Sequence, residues 1–348
     1  MSKTIILLLL TTIACISKAD SFLSRLAREY AAIDTNYVEP NKYVFTAMMQ
    51  GTTHFERYIL TDDNERRLHL SPDQSLKIGP YVGYEWIVVG YQIDAIGHKD
   101  NVDFNLSYYL PVGGIDFYSK RKTNNFDIRG LRVPGFESAD FERMEFSGLN
   151  TSALGLDLYY VLNHKKYSLR AAYSQTTRQV RSQGSVILGM GYNKQEAKLD
   201  YDVLRESLAD RYGEETAGKI IPDTLHSTGL SLRYLTLQGG YGYNWVFARN
   251  CLLNTTLSVA LGYVHYLDMH SNGDSYIDQL DLQTFNKLKV DGTFRLGIVW
   301  NNSKYYCGAT AILHGYNFHI KNIHLMNGYG TIHAYVGVNF DIGRIRKH

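Results

Sequence analysis

A regular alternation of apolar residues with small or polar residues runs from Leu253 to Leu267. Leucine, valine, threonine and tyrosine occupy one set of alternate positions, and asparagine, serine, threonine, alanine and glycine occupy the other. Successive side chains of a strand point to opposite faces, so this strand has one apolar face and one small, polar face. The polar face of a soluble sandwich meets bulk water and tolerates long Lys and Glu at most positions. Repeated strands of about ten residues with the pattern seen here are typical of a transmembrane β-barrel.

The same alternation recurs at 238–247, 288–300 and 331–342. Candidate strands begin near Lys42, Thr53, Ser75, Glu85, Val102, Val112, Asn124, Phe141, Ala153, Tyr167, Gly184, Thr228, Leu252, Lys287, Lys304 and Gly330. The fold class is therefore all-β, a transmembrane antiparallel β-barrel of about 12 to 16 strands. The stretch 228–247 is one long strand or two, because Gly239-Gly240 fits either a bend or a turn.

The beginning of the chain has the features of an export signal. Lys3 precedes an apolar run, and Ser17-Lys18-Ala19 supplies small residues before Asp20, so residues 1–19 are predicted to be a signal peptide. Lipidation at Cys15 is the alternative. Residues 20–40 are predicted to form a periplasmic segment with a short amphipathic helix, followed by an outer-membrane barrel over 41–343 and a basic tail over 344–348.

Composition excludes several function classes. The net charge of +2 gives no reason to expect nucleic acid as a partner. Tyr outnumbers Phe by 28 to 14, which suits the interfacial aromatic girdles of a barrel. Only Cys251 and Cys307 follow the predicted signal peptide, and their spacing leaves open whether they pair. No motif for a cofactor and no histidine spacing for a metal site is recognisable.

The connections differ in length. Arg249-Asn250 and 301–303 are short, whereas 197–225 and 268–286 are long, as expected for periplasmic turns and outer loops respectively. Leu204, Leu208 and Tyr212 recur at helical spacing in the first long loop and predict a helix there. This loop is either a lid or plug, or an ordered surface loop.

A set of charged residues falls on the polar faces of the predicted strands. Arg or Lys costs about 2 to 4 kcal/mol on a lipid-facing surface at the midplane, so these residues are predicted to face the lumen. The candidates are Asp103, Asp116, Asp157, Arg170, Arg233, Lys289, Asp291, Arg295, His333 and Asp341, with Asn105, Asn244 and Asn339 on the same faces. They either line a water-filled pore or pair in a network that fills a closed lumen.

Two patterns invite an enzymatic interpretation. His270 and Ser271 are adjacent, so on a strand they would point to opposite faces and could not act together as nucleophile and base. A turn could still bring them together, and the alternative is an Asn-Gly turn in an outer loop. Asp62-Asp63 lies among charged residues typical of a solvated loop. The expectation is that the protein is not an enzyme.

Several blocks of the sequence carry a resemblance. They are the run Asp34 to Tyr43, Gly79-Pro80-Tyr81, the run Phe146 to Asn150, Asn163-His164-Lys165-Lys166 and the run Ala171 to Gln175. In combination they resemble a Bacteroidetes family known by its domain-of-unknown-function number, DUF4421, from about Asp34 to the C-terminus. The resemblance implies an outer-membrane protein of a Gram-negative bacterium and carries no activity over. The chain departs from ordinary barrels because a basic tail follows Phe340.

The function expected from these patterns is passive or loop-gated passage of small polar solutes through an outer-membrane barrel. A structural or adhesive surface barrel with a closed lumen is the alternative, and a barrel-embedded lipid hydrolase is the third possibility. The expected partners are the lipid bilayer, lipopolysaccharide and the barrel assembly machinery. The sequence identifies neither a solute nor an oligomeric state.

The predicted processing is directly testable. We expect the mature chain to begin at Asp20 and to stay with outer-membrane fractions after carbonate washing, because a barrel is integral to the bilayer. Intact-protein mass spectrometry gives the N-terminus. A diacylated Cys15 would contradict the predicted cleavage site.

Overall fold

A computed structural model gives the fold of the chain. It describes residues 32–62, 66–72, 74–84, 87–96, 103–123, 126–132, 143–221, 227–268, 288–320 and 323–341. The predicted signal peptide, nearly all of the predicted N-terminal helix, and His270 and Ser271 lie outside the described residues.

Strands dominate the described residues. They are β1 (Val38–Pro40), β2 (Phe45–Asp62), β3 (Arg67–Pro72), β4 (Ser75–Tyr84), β5 (Ile87–Gly90), β6 (Ile93–Ile96), β7 (Asp103–Leu110), β8 (Gly113–Thr123), β9 (Phe126–Arg132), β10 (Met144–Phe146), β11 (Leu149–Val161), β12 (Thr177–Gln179), β13 (Gln183–Asp200), β14 (Ser227–Ala248), β15 (Cys251–Asp268), β16 (Leu288–Asn301), β17 (Tyr305–Ile320) and β18 (Ile323–Phe340). The helices are α1 (Arg170–Tyr173), α2 (Tyr201–Tyr212) and α3 (Glu214–Ile220). None of the described helices is long and apolar enough to cross a bilayer.

All strands except β1 and β12 belong to one antiparallel sheet of 16 strands. Its continuous part runs in the order β2, β18, β17, β16, β15, β14, β13, β11, β8, β7. One half of β2 pairs with β4, which also pairs with β5 and β6, and the other half pairs with β3, which leads to β9 and β10. We call the end where β2 begins and β18 ends the terminal end, and the opposite end the loop end.

Contacts between distant strands show how strongly this sheet curls. Arg295 on β16 and Asp116 on β8 are five interstrand steps apart, which is about 24 Å in a flat sheet. Their side chains nevertheless meet, with 2.6 Å between Nη2 and Oδ2. Glu56 on β2 forms an ion pair with Lys120 on β8, although eight steps separate these strands along the sheet. The sheet therefore curls like a barrel around a lumen, although among the described strands its edges β7 and β10 do not pair with each other.

The outward face of the sheet is apolar and exposed. Leu158, Met190, Leu237, Leu261 and Val290 pair in succession across β11, β13, β14, β15 and β16, and each is at least 40% exposed. We call these five residues the apolar row. A continuous apolar surface of this kind marks contact with lipid in a barrel whose other face encloses the polar groups. The predicted transmembrane barrel is confirmed.

The two cysteines lie on this outward face. Cys251 and Cys307 flank Trp300 from its two neighbouring strands, so they lie two interstrand steps apart. That separation is about 10 Å, beyond the Cα distance that a disulfide can span. Both thiols are free.

The described strands correct two predicted strand starts and settle one open alternative. The candidate strands at Lys42 and Thr53 form the single long strand β2. The segment 228–247 is also one strand, because Gly239 and Gly240 pair with both neighbours and no turn forms. The strand predicted near Tyr167 is wrong, since α1 and the short strand β12 occupy that region.

The lipid contact of the apolar row can be tested by placing a charge on it. Leu261→Arg should lower the free energy of unfolding by about 2 to 4 kcal/mol, because the guanidinium would lie in hydrocarbon. Leu261→Ala in the same row is the control for lost side-chain volume. Urea unfolding in lipid vesicles measures both. Equal stability of the arginine and alanine variants would show that the row does not face lipid.

Candidate functional site in the lumen

The terminal end of the lumen holds a segment of the chain itself. Residues 163–181 connect β11 to β13 and contain α1 and β12, whereas the other described connections at this end, 111–112, 249–250 and 302–304, are short. Tyr167 is fully buried, and Ala171 and Ala172 pack against Leu252 and Val299 of the barrel wall. We call residues 163–181 the plug.

Besides this apolar packing, the plug is held by hydrogen bonds to amide side chains of the wall. Asn254 Nδ2 donates to Tyr167 Oη over 2.9 Å, and Tyr173 Oη donates to Asn254 Oδ1 over 2.6 Å. Asn244 Nδ2 donates to Ser168 O over 3.0 Å. Burial raises the pKa of the Tyr167 phenol, so its hydroxyl stays protonated. These buried polar groups need partners, and the plug and wall supply them to each other.

Gln175 fixes the turn that follows α1. Its backbone φ of 59° is in the left-handed region, and its side chain is buried. Gln175 Nε2 donates to Tyr335 Oη over 2.8 Å, and Asn301 Nδ2 donates to Gln175 Oε1 over 3.1 Å. One side chain thus ties the plug to β16 and β18.

The N-terminal segment joins the plug from the terminal end. β1 pairs with β12 in a small antiparallel sheet. Arg178 Nη2 lies 2.6 Å from Glu39 Oε2, and Asp34 N donates to Lys165 O over 2.7 Å. The plug is therefore a small packed unit rather than a single loop.

The middle of the lumen is crossed by the Arg295–Asp116 ion pair. Only 10% of the Arg295 side chain and 16% of the Asp116 side chain are exposed. The Arg295 guanidinium also lies 5.0 Å from the ring centre of Tyr159, and Asp157 is the register partner of Asp116. Breaking a buried pair leaves an uncompensated charge, which costs about 3 to 5 kcal/mol. The pair therefore holds opposite walls together.

A second buried pair lies nearer the loop end. Lys289 Nζ is 2.8 Å from Asp291 Oδ2, and both side chains are almost fully buried. The same ammonium lies 3.6 Å from the ring centre of Tyr234 and 4.7 Å from that of Tyr316. A desolvated cation next to aromatic faces is stabilised by about 2 kcal/mol.

Tyrosines fill the space between these pairs. Tyr316, Tyr329 and His314 stack, with ring centres 4.6 Å apart between His314 and Tyr329. Glycines at the partner positions of the neighbouring strand make room, because a Cβ at Gly155 would overlap the ring of Tyr118 and one at Gly114 would overlap Tyr159. The inward tyrosines therefore pack into glycine positions as in a solid core.

The loop end is covered by a separate apolar core. We call β3, β9, β10, α2 and α3 the cap. Leu204 and Leu208 of α2 are buried in one cluster with residues of the cap strands and of the barrel wall, including Leu70, Ile128, Phe146, Leu232 and Val264. Asp200 caps α2 by accepting hydrogen bonds from the backbone of Asp202 and Val203.

The sequence matches one protein-family model over most of its length. The model of the domain of unknown function DUF4421 matches residues 32–340. The chain belongs to the DUF4421 family. Three of the blocks that carry the resemblance, at 34–43, 163–166 and 171–175, form the plug and the segment that joins it. No curated protein matches the chain significantly.

Solved outer-membrane proteins are similar to this DUF4421 chain at a coarse level. The outer membrane protease OmpT from Escherichia coli has a TM-score of 0.40 and 6% identity, over 86% of this chain and 97% of OmpT. OprG from Pseudomonas aeruginosa has a TM-score of 0.26 and 9% identity, over 87% of this chain and 99% of OprG. The toluene transporter TodX of P. putida has a TM-score of 0.21 and 8% identity, over 86% and 91%. At these TM-scores the similarities carry no argument about activity.

Five of the predicted lumen residues, Asp116, Asp157, Lys289, Asp291 and Arg295, lie inside the lumen of this DUF4421 barrel and form its two buried ion pairs with Asp157 beside them. His333 lies apart, where its Nδ1 is 2.9 Å from Thr52 Oγ1. Asp341 follows β18 and accepts a hydrogen bond from Val44 N over 3.0 Å, so it joins the first and last long strands. The side chain of Asp103 lies outside the described residues.

Two predicted positions need correction. Arg170 lies on α1 of the plug and not on a barrel strand. Arg233 is exposed on the outward face of β14, on the same side as Leu235 and Leu237, so it does not face the lumen. Asn105 shares β7 with Asp103, and its side chain is likewise outside the described residues.

Of the residues that hold the plug, Asn244 is among the predicted inward positions and three others are not. Tyr167, Gln175 and Asn254 carry no charge and match no motif, so they attract no attention individually. The available signal was a connection of about twenty residues between β11 and β13, longer than a turn at that end requires.

The cross-lumen pair is testable by a double-mutant cycle. Arg295→Met alone should destabilise the barrel by about 3 to 5 kcal/mol, because Asp116 would be left buried without its partner. Arg295→Met with Asp116→Leu should recover much of that loss. Thermal unfolding monitored by heat-modifiable migration gives the order of stability. A double variant that is less stable than either single variant would contradict the pairing.

Proposed function

We propose that this DUF4421 barrel is an outer-membrane surface protein with a closed lumen, and that its cap faces the cell exterior as a structural or adhesive surface. The observation that carries the proposal is the Arg295–Asp116 pair, whose atoms lie 2.6 Å apart across the lumen. An open pore would leave such charges partly solvated along its wall, whereas here they are buried and paired.

The two ends of the lumen support the same proposal. The plug occupies the terminal end through Tyr167, Gln175 and their partners on the wall. The cap covers the loop end with an apolar core around Leu208. A solute would therefore meet three successive barriers.

The orientation of the barrel in the membrane is inferred from the lengths of the connections at its two ends. Apart from the plug, the described connections between long strands at the terminal end are short, and the cap lies at the loop end. Barrels have short periplasmic turns and long outer loops, so the terminal end is assigned to the periplasm. The predicted signal peptide at 1–19 supplies the export that this location requires.

A gated passage for small polar solutes is the second candidate. It is favoured by the way the plug is held, because the contacts of Ser168, Tyr173 and Gln175 are hydrogen bonds that water can replace. A plug held by such contacts can leave the wall at lower cost than one held by a large apolar interface.

Conductance in planar bilayers separates the two candidates. We expect the wild-type barrel to be silent, because three barriers obstruct the lumen. Replacing 163–181 with a two-residue turn should leave the barrel silent as well, because the Arg295–Asp116 pair and the cap still obstruct the lumen. Steady conductance of the wild type would support the passage and overturn the closed lumen.

A further inference from the structure

Arg233 and its neighbours form a charged row on the outward face of the barrel. Going towards the loop end along β13, the outward residues are Met190, Tyr192, Lys194, Glu196 and Lys198. On β14 the corresponding sequence is Leu237, Leu235 and Arg233. We call Lys194, Glu196, Lys198 and Arg233 the charge row.

The position of the charge row matches the boundary of the bilayer. Outward residues of β14 from Leu235 to Phe247 are apolar, aromatic or glycine. Twelve residues at about 3.3 Å each, tilted by about 40°, rise about 30 Å, which is the thickness of a hydrocarbon core. Arg233 follows directly at the loop end of this span. Its guanidinium therefore lies at the level of lipid headgroups.

The register brings two cations together. Lys194 and Arg233 are direct partners on neighbouring antiparallel strands. Side chains in such a pair start about 5 Å apart, and like charges there are destabilising. The barrel places this repulsion on its outer surface, where a membrane molecule can relieve it.

The carboxylate of Glu196 neutralises only part of the positive charge of Lys194 and Arg233. Glu196 Oε1 lies 2.6 Å from Lys194 Nζ, and Ser152 Oγ donates to Glu196 Oε2 over 3.0 Å. No carboxylate of the described side chains lies within ion-pair distance of the exposed Arg233. With Lys198 also exposed, the charge row has three cations and one anion, so it has an excess of positive charge.

We propose that the charge row binds the phosphate groups of lipid A, the membrane anchor of lipopolysaccharide, in the outer leaflet. Arg and Lys donate charge-assisted hydrogen bonds to phosphate, and the arginine fork does so in bidentate geometry. The acyl chains would lie along the apolar row, whose Met190 and Leu237 are on the same two strands. The choice of lipid A rests on the proposed orientation, because the loop end is assigned to the outer leaflet.

Native mass spectrometry of the purified full-length barrel with diphosphorylated lipid A tests the proposal. The wild type should retain this lipid, and Lys194→Gln with Arg233→Gln should weaken retention about tenfold, which corresponds to about 1.4 kcal/mol. Lys42→Gln with Lys304→Gln is the matched control, since it removes two exposed positive charges at the terminal end. Heat-modifiable migration confirms that each variant is folded.

Competing probes identify the source of the phosphate. Dephosphorylated lipid A should bind at least about tenfold more weakly than the diphosphorylated form, and phosphatidylglycerol and inorganic phosphate should not displace the latter. Equal binding of dephosphorylated lipid A, unchanged binding by the charge-row variant, or displacement by either competitor would overturn the assignment. Conductance is measured separately, so an open lumen would overturn the closed-lumen proposal without affecting this one.

Discussion

The Arg295–Asp116 ion pair links walls of the barrel that are five strands apart in the sheet, and the contents of the lumen follow from it. Lipid on the outside forces most charges of the spanning strands inward. There they lose their hydrating water, and this loss is costly unless each charge has a partner. Opposite walls must then approach closely, and the space around each pair must be filled. Tyr159 and Tyr234 provide this filling while their faces stabilise the enclosed cations. The buried ion pairs and the tyrosines around them therefore fill the lumen.

The barrel strands were predictable because the bilayer imposes one simple rule on alternate residues. The alternation in β15 and β16 identified which face meets lipid, and the exposed Leu257, Leu261 and Val290 lie on that face. The helix in the first long connection was also predictable, since Leu204, Leu208 and Tyr212 recur at helical spacing and α2 contains all three. In both cases the spacing of apolar residues along the sequence shows which face of the element is turned away from water.

The plug and the charge row were harder to predict for different physical reasons. The plug is defined by long-range hydrogen bonds, such as that between Gln175 and Tyr335, which leave no period in the sequence. Arg233 shares its parity with Tyr241 and Trp245, so alternation alone indicates the outward face. The rule that charges avoid lipid predicts the inward face for Arg233. That rule holds for the hydrocarbon core and fails at the headgroup level, where a cation meets anions and water.

The seam between β2 and β18 sets an order of events during assembly. These strands pair along their full length, from Phe45 with Phe340 to Asp62 with Ile323, so this pairing cannot be complete until nearly the whole chain is present. The plug lies between β11 and β13, in the middle of the sequence. It is therefore available to seat against the wall while β2 and β18 are still apart.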